Sequence, residues 1–187
     1  MSSEIQKIAI EPEVDLVVEF VNTRNLEDDT DLIGEPEPLE RWIDKHFEGS
    51  GVGTVDPESQ RRLLALRESL RALLRTNNGG EAGDDELRAL GEAAERSRFR
   101  TTFDDEEGRL GIDPAGAGPE AFEARLLLAL ERIQSLGVWP RLKACPTDDC
   151  QWAFYDTSRN RSRTWCSMEE CGNREKTRRY RRRKAST

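Results

Sequence analysis

Histidine is nearly absent. The chain of 187 residues holds one, His46. A single imidazole cannot supply the paired-histidine helix of a metalloprotease, and no obvious serine and aspartate set accompanies it for a hydrolase triad. His46 therefore reads as an exposed helix residue. Long apolar runs are also missing. None approaches the roughly 20 residues of a membrane-spanning helix, so no membrane partner is expected. The opening stretch MSSEIQKIAIEPEVD has neither a basic flank nor a long apolar segment. A secretory leader is not expected, and the chain reads as soluble and cytoplasmic. The segment GSGVGT, Gly49 to Thr54, has glycines but lacks the Lys-Ser/Thr of a phosphate loop, so it reads as a connector. Carboxylates are scattered along helix faces and there is no internal repeat. No enzyme is expected. Apolar residues make up 35% of the chain and aromatic residues 6%, so a core must come from a few well-patterned helices.

Charge is abundant, and its two signs are segregated. The net charge is −8. Residues 141–187 hold 13 basic and 6 acidic residues, whereas residues 1–140 hold 16 basic and 31 acidic ones. The first part thus carries −15 and the last part +7. An acidic body with a basic arm points to an anionic partner for the arm.

The acidic part, residues 1–140, reads as a helical domain. In DPESQRRLLALRESLRALLRTNNGG, Asp56 suits an N-cap, Pro57 the first turn and Asn77 to Gly80 the end. Leu63, Leu66, Leu70 and Leu73 or Leu74 form one apolar stripe. PEAFEARLLLALERIQSLG is a second long helix, with Phe122, Leu126, Leu130 and Ile133 inward. PLERWIDKHF and DDELRALGEAAERS suit shorter helices. EVDLVVEFVNTR is rich in β-branched residues, yet Val14, Val17, Val18 and Val21 fit a helical face, and a helix is expected. Asn22 suits a cap or turn, or a small-molecule contact. RFRTTFDDEEGRLGI reads as a hairpin with arms Phe99–Phe103 and Arg109–Ile112.

All four cysteines fall in the basic part, residues 141–187. Cys145, Cys150, Cys166 and Cys171 are spaced C-x4-C-x15-C-x4-C. Two close pairs around a medium gap suit one tetrahedral ion, each pair giving two thiolates from a tight bend. Disulfides would require an oxidising compartment, which nothing in the sequence indicates. A closed set of four protein thiolates makes a structural Zn2+ site whose binding is coupled to folding. Pro146, Asp148 and Asp149 favour a knuckle. QWAFYDTSRNRSRTW suggests a hairpin with arms at Trp152–Tyr155 and near Trp165. Ser167 suits the cap of a final helix. Knuckle, hairpin and helix in this order form a treble-clef-like module, and the fold class is mostly α. Trp152 and Trp165 are expected to pack on the cluster.

The stretch DTSRNRSRTWCSMEECGNREK resembles the CGNR zinc finger, whose signature stands here as Cys171-Gly172-Asn173-Arg174. Residues 14 to about 137, with EFVNTR near the start, resemble the ABATE domain. The resemblance implies a bacterial stress-related transcription regulator with a DNA-binding zinc finger.

Four thiolates and one zinc carry −2, which leaves about +5 for other partners. Arg174 is placed to donate to a cysteine sulfur, and Asn173 to do likewise, to cap a turn, or to read adenine. Gly172 would let the backbone pass close to sulfur. Beyond them, Lys176, Arg178, Arg179, Arg181, Arg182, Arg183 and Lys184 crowd one helix, which suits phosphate neutralisation. Arg159, Arg161 and Arg163 would extend that surface. DNA is the expected partner. A zinc-stabilised module docking its arm on an acidic protein surface, including its own domain, is an alternative, as is RNA binding. A homodimer would double the contact. The N-terminal domain would then act as dimeriser or as sensor of an unknown small-molecule or protein signal.

Overall fold

The computed structural model describes residues 3–47 and 53–185. Most of the glycine-rich connector at 49–54 lies outside them. The described residues form six α-helices and three two-stranded antiparallel sheets. The helices are α1 (Ser3–Val21), α2 (Pro36–His46), α3 (Pro57–Thr76), α4 (Asp84–Arg96), α5 (Gly118–Ser135) and α6 (Asn173–Ala185). The strand pairs are β1 (Arg24–Asn25) with β2 (Thr30–Asp31), β3 (Phe99–Asp104) with β4 (Arg109–Pro114), and β5 (Leu142–Ala144) with β6 (Ala153–Tyr155). No described helix is long and apolar enough to cross a membrane.

The β-branched segment at 14–21 is helical. Val14, Val17 and Val21 lie on one face and are buried with Phe20 and Leu16, so tertiary packing overrides local strand propensity. α3 begins as its sequence dictates. The Asp56 carboxylate accepts from the backbone N–H groups of Glu58 and Ser59, and Leu63, Leu66, Leu70 and Leu74 go into the core. α5 places Phe122, Leu126, Leu130 and Ile133 on the same core. Phe20, Trp42 and Phe122 meet at centroid distances of 5.5–5.8 Å. His46 is not the exposed residue expected. Its ring stacks on Trp42 at 3.9 Å, and Nε2 lies 2.8 Å from Glu19 Oε2. Four helical residues separate Trp42 from His46, which puts both rings on one face.

Two arginines of α3 are buried as well. Arg67 forms a bidentate pair with Asp31 at 2.7 and 2.8 Å. Arg71 donates to the carbonyls of Val21, Arg24 and Gln151 at 2.7, 3.2 and 3.0 Å. Arg71 thereby caps the C-terminus of α1 and reaches into the basic part of the chain.

The basic part is seated on the helices. Leu142, Ala144 and Ala153 belong to the same hydrophobic core as the helices. Three asparagines bind the backbone there. Asn22 pairs with Ala153, Asn77 donates to Trp139 O and Leu142 O, and Asn78 donates to Ala144 O and Thr164 O. Asn22 ends its helix as expected, and its side chain is spent on a backbone contact.

Candidate metal centre and basic helix

The ligand atoms of Cys145, Cys150, Cys166 and Cys171 all lie within 4.8 Å of one another. Cys150 and Cys166 Sγ are 3.5 Å apart, and Cys166 and Cys171 Sγ 3.6 Å. None of the four is in a disulfide, the sulfur spacings being far beyond ~2.05 Å. A tetrahedral centre with metal–sulfur bonds of about 2.3 Å has edges of about 3.8 Å, close to these spacings. Cys145, Cys150 and Cys171 are buried and Cys166 half-buried. The donor set therefore fits a metal ion held wholly by protein.

The electrostatics of the thiols agree. The hydrogen bond from Cys150 draws the Cys145 thiol down to about 4 against the effect of burial, helped by the backbone N–H of Cys166 and by Thr147. Cys150 is pushed up, first by its hydrogen bond to Cys145 and then by burial. Burial pushes Cys166 up to about 12. A buried cluster this tight does not carry several negative charges at once. A divalent cation removes that limit and displaces the protons.

The backbone around the cluster is built for it. Cys145 N–H donates to Trp152 O at 2.9 Å, which closes the knuckle. Cys150 and Gln151 N–H both donate to Thr147 O, and Gln151 takes a left-handed φ of 48° to make the bend. At the second pair, Ser167 caps as expected by accepting from Glu170 N–H at 3.2 Å. The first turn, Met168–Gly172, is a π-turn, an extra residue that accommodates the five-residue step from Cys166 to Cys171.

The hairpin of this module differs from the sequence expectation. β6 pairs with β5, ahead of the first cysteine, and no strand returns near Trp165. The segment after β6 is instead folded around a buried ion pair. Lys143 Nζ donates to Asp156 Oδ2 at 2.8 Å and to the carbonyls of Arg161 and Arg163 at 2.8 and 2.9 Å. Asp156 also accepts from Ser158 N–H and Oγ and from Arg163 N–H. Burial would raise the Asp156 carboxyl, but Lys143 and Ser158 hold it down at about 2. Neither residue was singled out from the sequence. The signal present was a lysine inside the apolar triplet Leu142-Lys143-Ala144 and the turn-forming Asp156-Thr157-Ser158.

The signature residues take distinct places. Arg174 donates to Cys171 Sγ at 3.3 Å and to Glu27 Oε1 at 2.9 Å, and it lies 3.4 Å from Asp149 Oδ2. Glu27 and then Cys171 raise its pKa, so it stays a cation beside the cluster. Asn173 donates to Glu169 O at 3.0 Å and serves as a cap, not as a sulfur contact. Gly172 leaves room for the side chains of Met168 and Trp165. A Cβ there would lie 2.7 Å from Met168 Sδ and 3.2 Å from Trp165 Cδ1. Trp165 packs on the cluster, whereas Trp152 is 37% exposed.

The candidate contact arginines divide into two groups. Arg163 is engaged at home. Its guanidinium lies 4.7 Å from the Phe154 ring centroid and donates to the carbonyls of Trp165 and Cys166. Arg178 lies 3.5 Å from Asp149, and Arg179 lies 3.1 Å from Glu175. Arg159 and Arg161 sit exposed on the loop, Arg161 with φ 55°. Lys176, Arg178, Arg179, Arg181, Arg182, Arg183 and Lys184 are all exposed on α6, together with Tyr180. α6 is thus anchored at its first turn and presents a dense cationic surface beyond it.

Residues 141–184 match the model of the CGNR zinc finger. Residues 14–136 match the ABATE model, described as a "putative stress-induced transcription regulator". No curated protein matches the chain.

Proposed function

The chain belongs to the ABATE family and carries the CGNR zinc finger, and on that premise we propose that it is a DNA-binding transcription regulator, not an enzyme. Cys145, Cys150, Cys166 and Cys171 hold a structural Zn2+ ion. Zinc suits four thiolates in a closed tetrahedral set and needs no open position. The ion fixes the start of α6, and α6 delivers its cations to the phosphate backbone. Arg159 and Arg161 extend the same surface. The protein works in the cytoplasm as a homodimer, and residues 1–140 form the dimerising or sensing part to which the finger of 141–187 is bound.

The observation that carries this reading is the run of exposed basic residues on α6, launched from a metal-fitting cluster. Its first two turns are engaged by Glu27 and Asp149 through Arg174 and Arg178. Acidic partners within the chain thus hold the base of the arm in place, and α6 presents its exposed cations to DNA. Arg163, spent on Phe154 and two carbonyls, supports the loop and contributes little to phosphate binding.

The test is capture of genomic fragments by the zinc-loaded full chain, beside a variant with Lys176, Arg179 and Arg181 changed to alanine. Enrichment of particular promoters by the first and not the second supports a regulator. Equal retention of duplex RNA in competition would favour the RNA reading. Retention by the variant equal to that of the unaltered chain would remove α6 from the contact.

A further inference from the structure

The β3–β4 hairpin is amphipathic, and it is turned the wrong way for a chain that acts alone. Its register sets Phe99 opposite Pro114, Thr101 opposite Ile112 and Phe103 opposite Leu110. Alternation places these six residues on one face and Arg100, Thr102, Asp104, Arg109, Gly111 and Asp113 on the other. In an isolated domain the apolar face would cover the core. Here it faces solvent. Phe99 is 43% exposed, Phe103 60%, Leu110 78% and Ile112 59%. Of the four half-buried residues of the hairpin, Thr102, Gly111 and Asp113 belong to the polar face and only Pro114, at the base, to the apolar one, and Asp113 stands near Arg125 of α5.

We propose that this apolar face is the contact with a second copy of the chain, ribbon packed on ribbon about a twofold axis. Three observations favour an identical copy. First, the face carries no charge at all. Two such faces meet without repulsion even though each chain carries −8, and neither a phosphate backbone nor a charged protein finds a complement there. Second, the pattern is self-complementary. A twofold parallel to the strands lays β3 of one copy over β4 of the other, which sets Phe103 on Leu110 and Phe99 on Pro114, twice over. Third, the area suffices. The four large side chains expose on the order of 500 Å² per copy, and two copies bury about 1,000 Å², where specific interfaces begin. The ribbon rests on α5 through β4, and a second ribbon over its apolar face supplies the layer left open on the other side.

The inference rests on the homodimer in the proposed function, to which it gives a surface, and is independent of DNA. It is tested without DNA, by sedimentation equilibrium of the zinc-loaded full chain. The unaltered chain should sediment at twice 21.3 kDa at about 100 μM. Leu110→Asp and Phe103→Asp should halve that mass while far-UV circular dichroism and zinc content stay unchanged. Should either variant misfold, amide exchange of the unaltered chain decides. Protection of residues 99–103 and 110–114 should rise with protein concentration. A chain that stays monomeric at that concentration overturns the proposal, as do folded variants that remain dimeric or hairpin protection independent of concentration. A monomer that still retains duplex DNA would overturn this surface alone and leave the DNA reading in place.

Discussion

The side chain of Asn22 forms a two-way hydrogen bond with the backbone of Ala153. Its Nδ2 donates to Ala153 O at 2.9 Å, and its Oδ1 accepts from Ala153 N–H at 2.8 Å. A carboxamide at the end of α1 thus completes β6 as a neighbouring strand would. Ala153 is buried, so its backbone groups have no water to turn to. Asn22→Ala should cost about 2–3 kcal/mol, because a donor and an acceptor are both left without partners. Asn22→Asp keeps the acceptor and faces Ala153 O with a negative charge, so it should be no better. Urea denaturation followed by tryptophan fluorescence measures both.

Metal removal should loosen more than the finger. Leu142, Ala144 and Ala153, which flank the first cysteine pair, are part of the helical core. Zinc contributes on the order of 10–16 kcal/mol to finger peptides, and part of that stabilisation is transmitted through the shared core. Chelation, or Cys166→Ser, should lower the melting temperature of the α1–α5 helices as well. A helical circular dichroism transition unmoved by chelator would show that the two parts melt independently.

Arg174 should tune metal affinity. It carries a charge against Cys171 Sγ and is itself oriented by Glu27. Arg174→Ala should weaken zinc binding 10–100-fold, as loss of such supporting groups typically does. Glu27→Gln should have a smaller effect in the same direction. Competition with a chromophoric chelator reads the constants directly, and equal affinities would show that the Arg174–sulfur contact contributes nothing.

Lys143→Met should strip Asp156 of its counter-ion inside the fold. Removing one partner of a buried pair costs roughly 3–5 kcal/mol. The pH dependence has a definite sign. The Asp156 carboxyl sits at about 2 in the folded chain, below the ~3.9 of an unfolded one. Its contribution is complete above about pH 4 and is lost as pH falls towards 2. The stability gap between the unaltered chain and Lys143→Met should therefore be widest near neutrality and narrow on acidification. A gap that widens in acid would contradict this assignment.

Salt should govern duplex binding through α6. Each phosphate contact contributes about 0.9 to the slope of log affinity against log salt. Replacing Arg179 and Arg181 with alanine should flatten the slope by up to about 1.8, with similar loss across sequences. Arg163→Ala should leave the slope nearly unchanged, because that guanidinium is bound to Phe154 and two carbonyls. Titrations at several salt concentrations separate the two outcomes.

Much of this molecule is legible in its sequence because the signals are local. The Asp56 cap, the leucine stripe of α3, the Phe99–Ile112 hairpin and the close cysteine pairs are each built from short steps between residues near in sequence. A helix, a turn and a metal-ligand pair are short-range constraints, so residue type and spacing decide them. The acidic-to-basic division, likewise, is written in composition.

The remaining features depend on residues far apart in the chain. Asn22 meeting Ala153, Arg71 meeting Gln151, and Glu27 meeting Arg174 span 131, 80 and 147 positions. No periodicity encodes such pairs, because each is fixed only when helices and finger pack on one core. The same packing put His46 against Glu19, buried Lys143 with Asp156, and tied up Arg163 while leaving Arg159 and Arg161 at the surface. Sequence alone determined which chemistry this protein carries, four closely paired cysteines and a cationic helix. Tertiary structure decided which charges are already answered within the fold, because partner choice depends on burial and distance, and neither exists before the chain is folded.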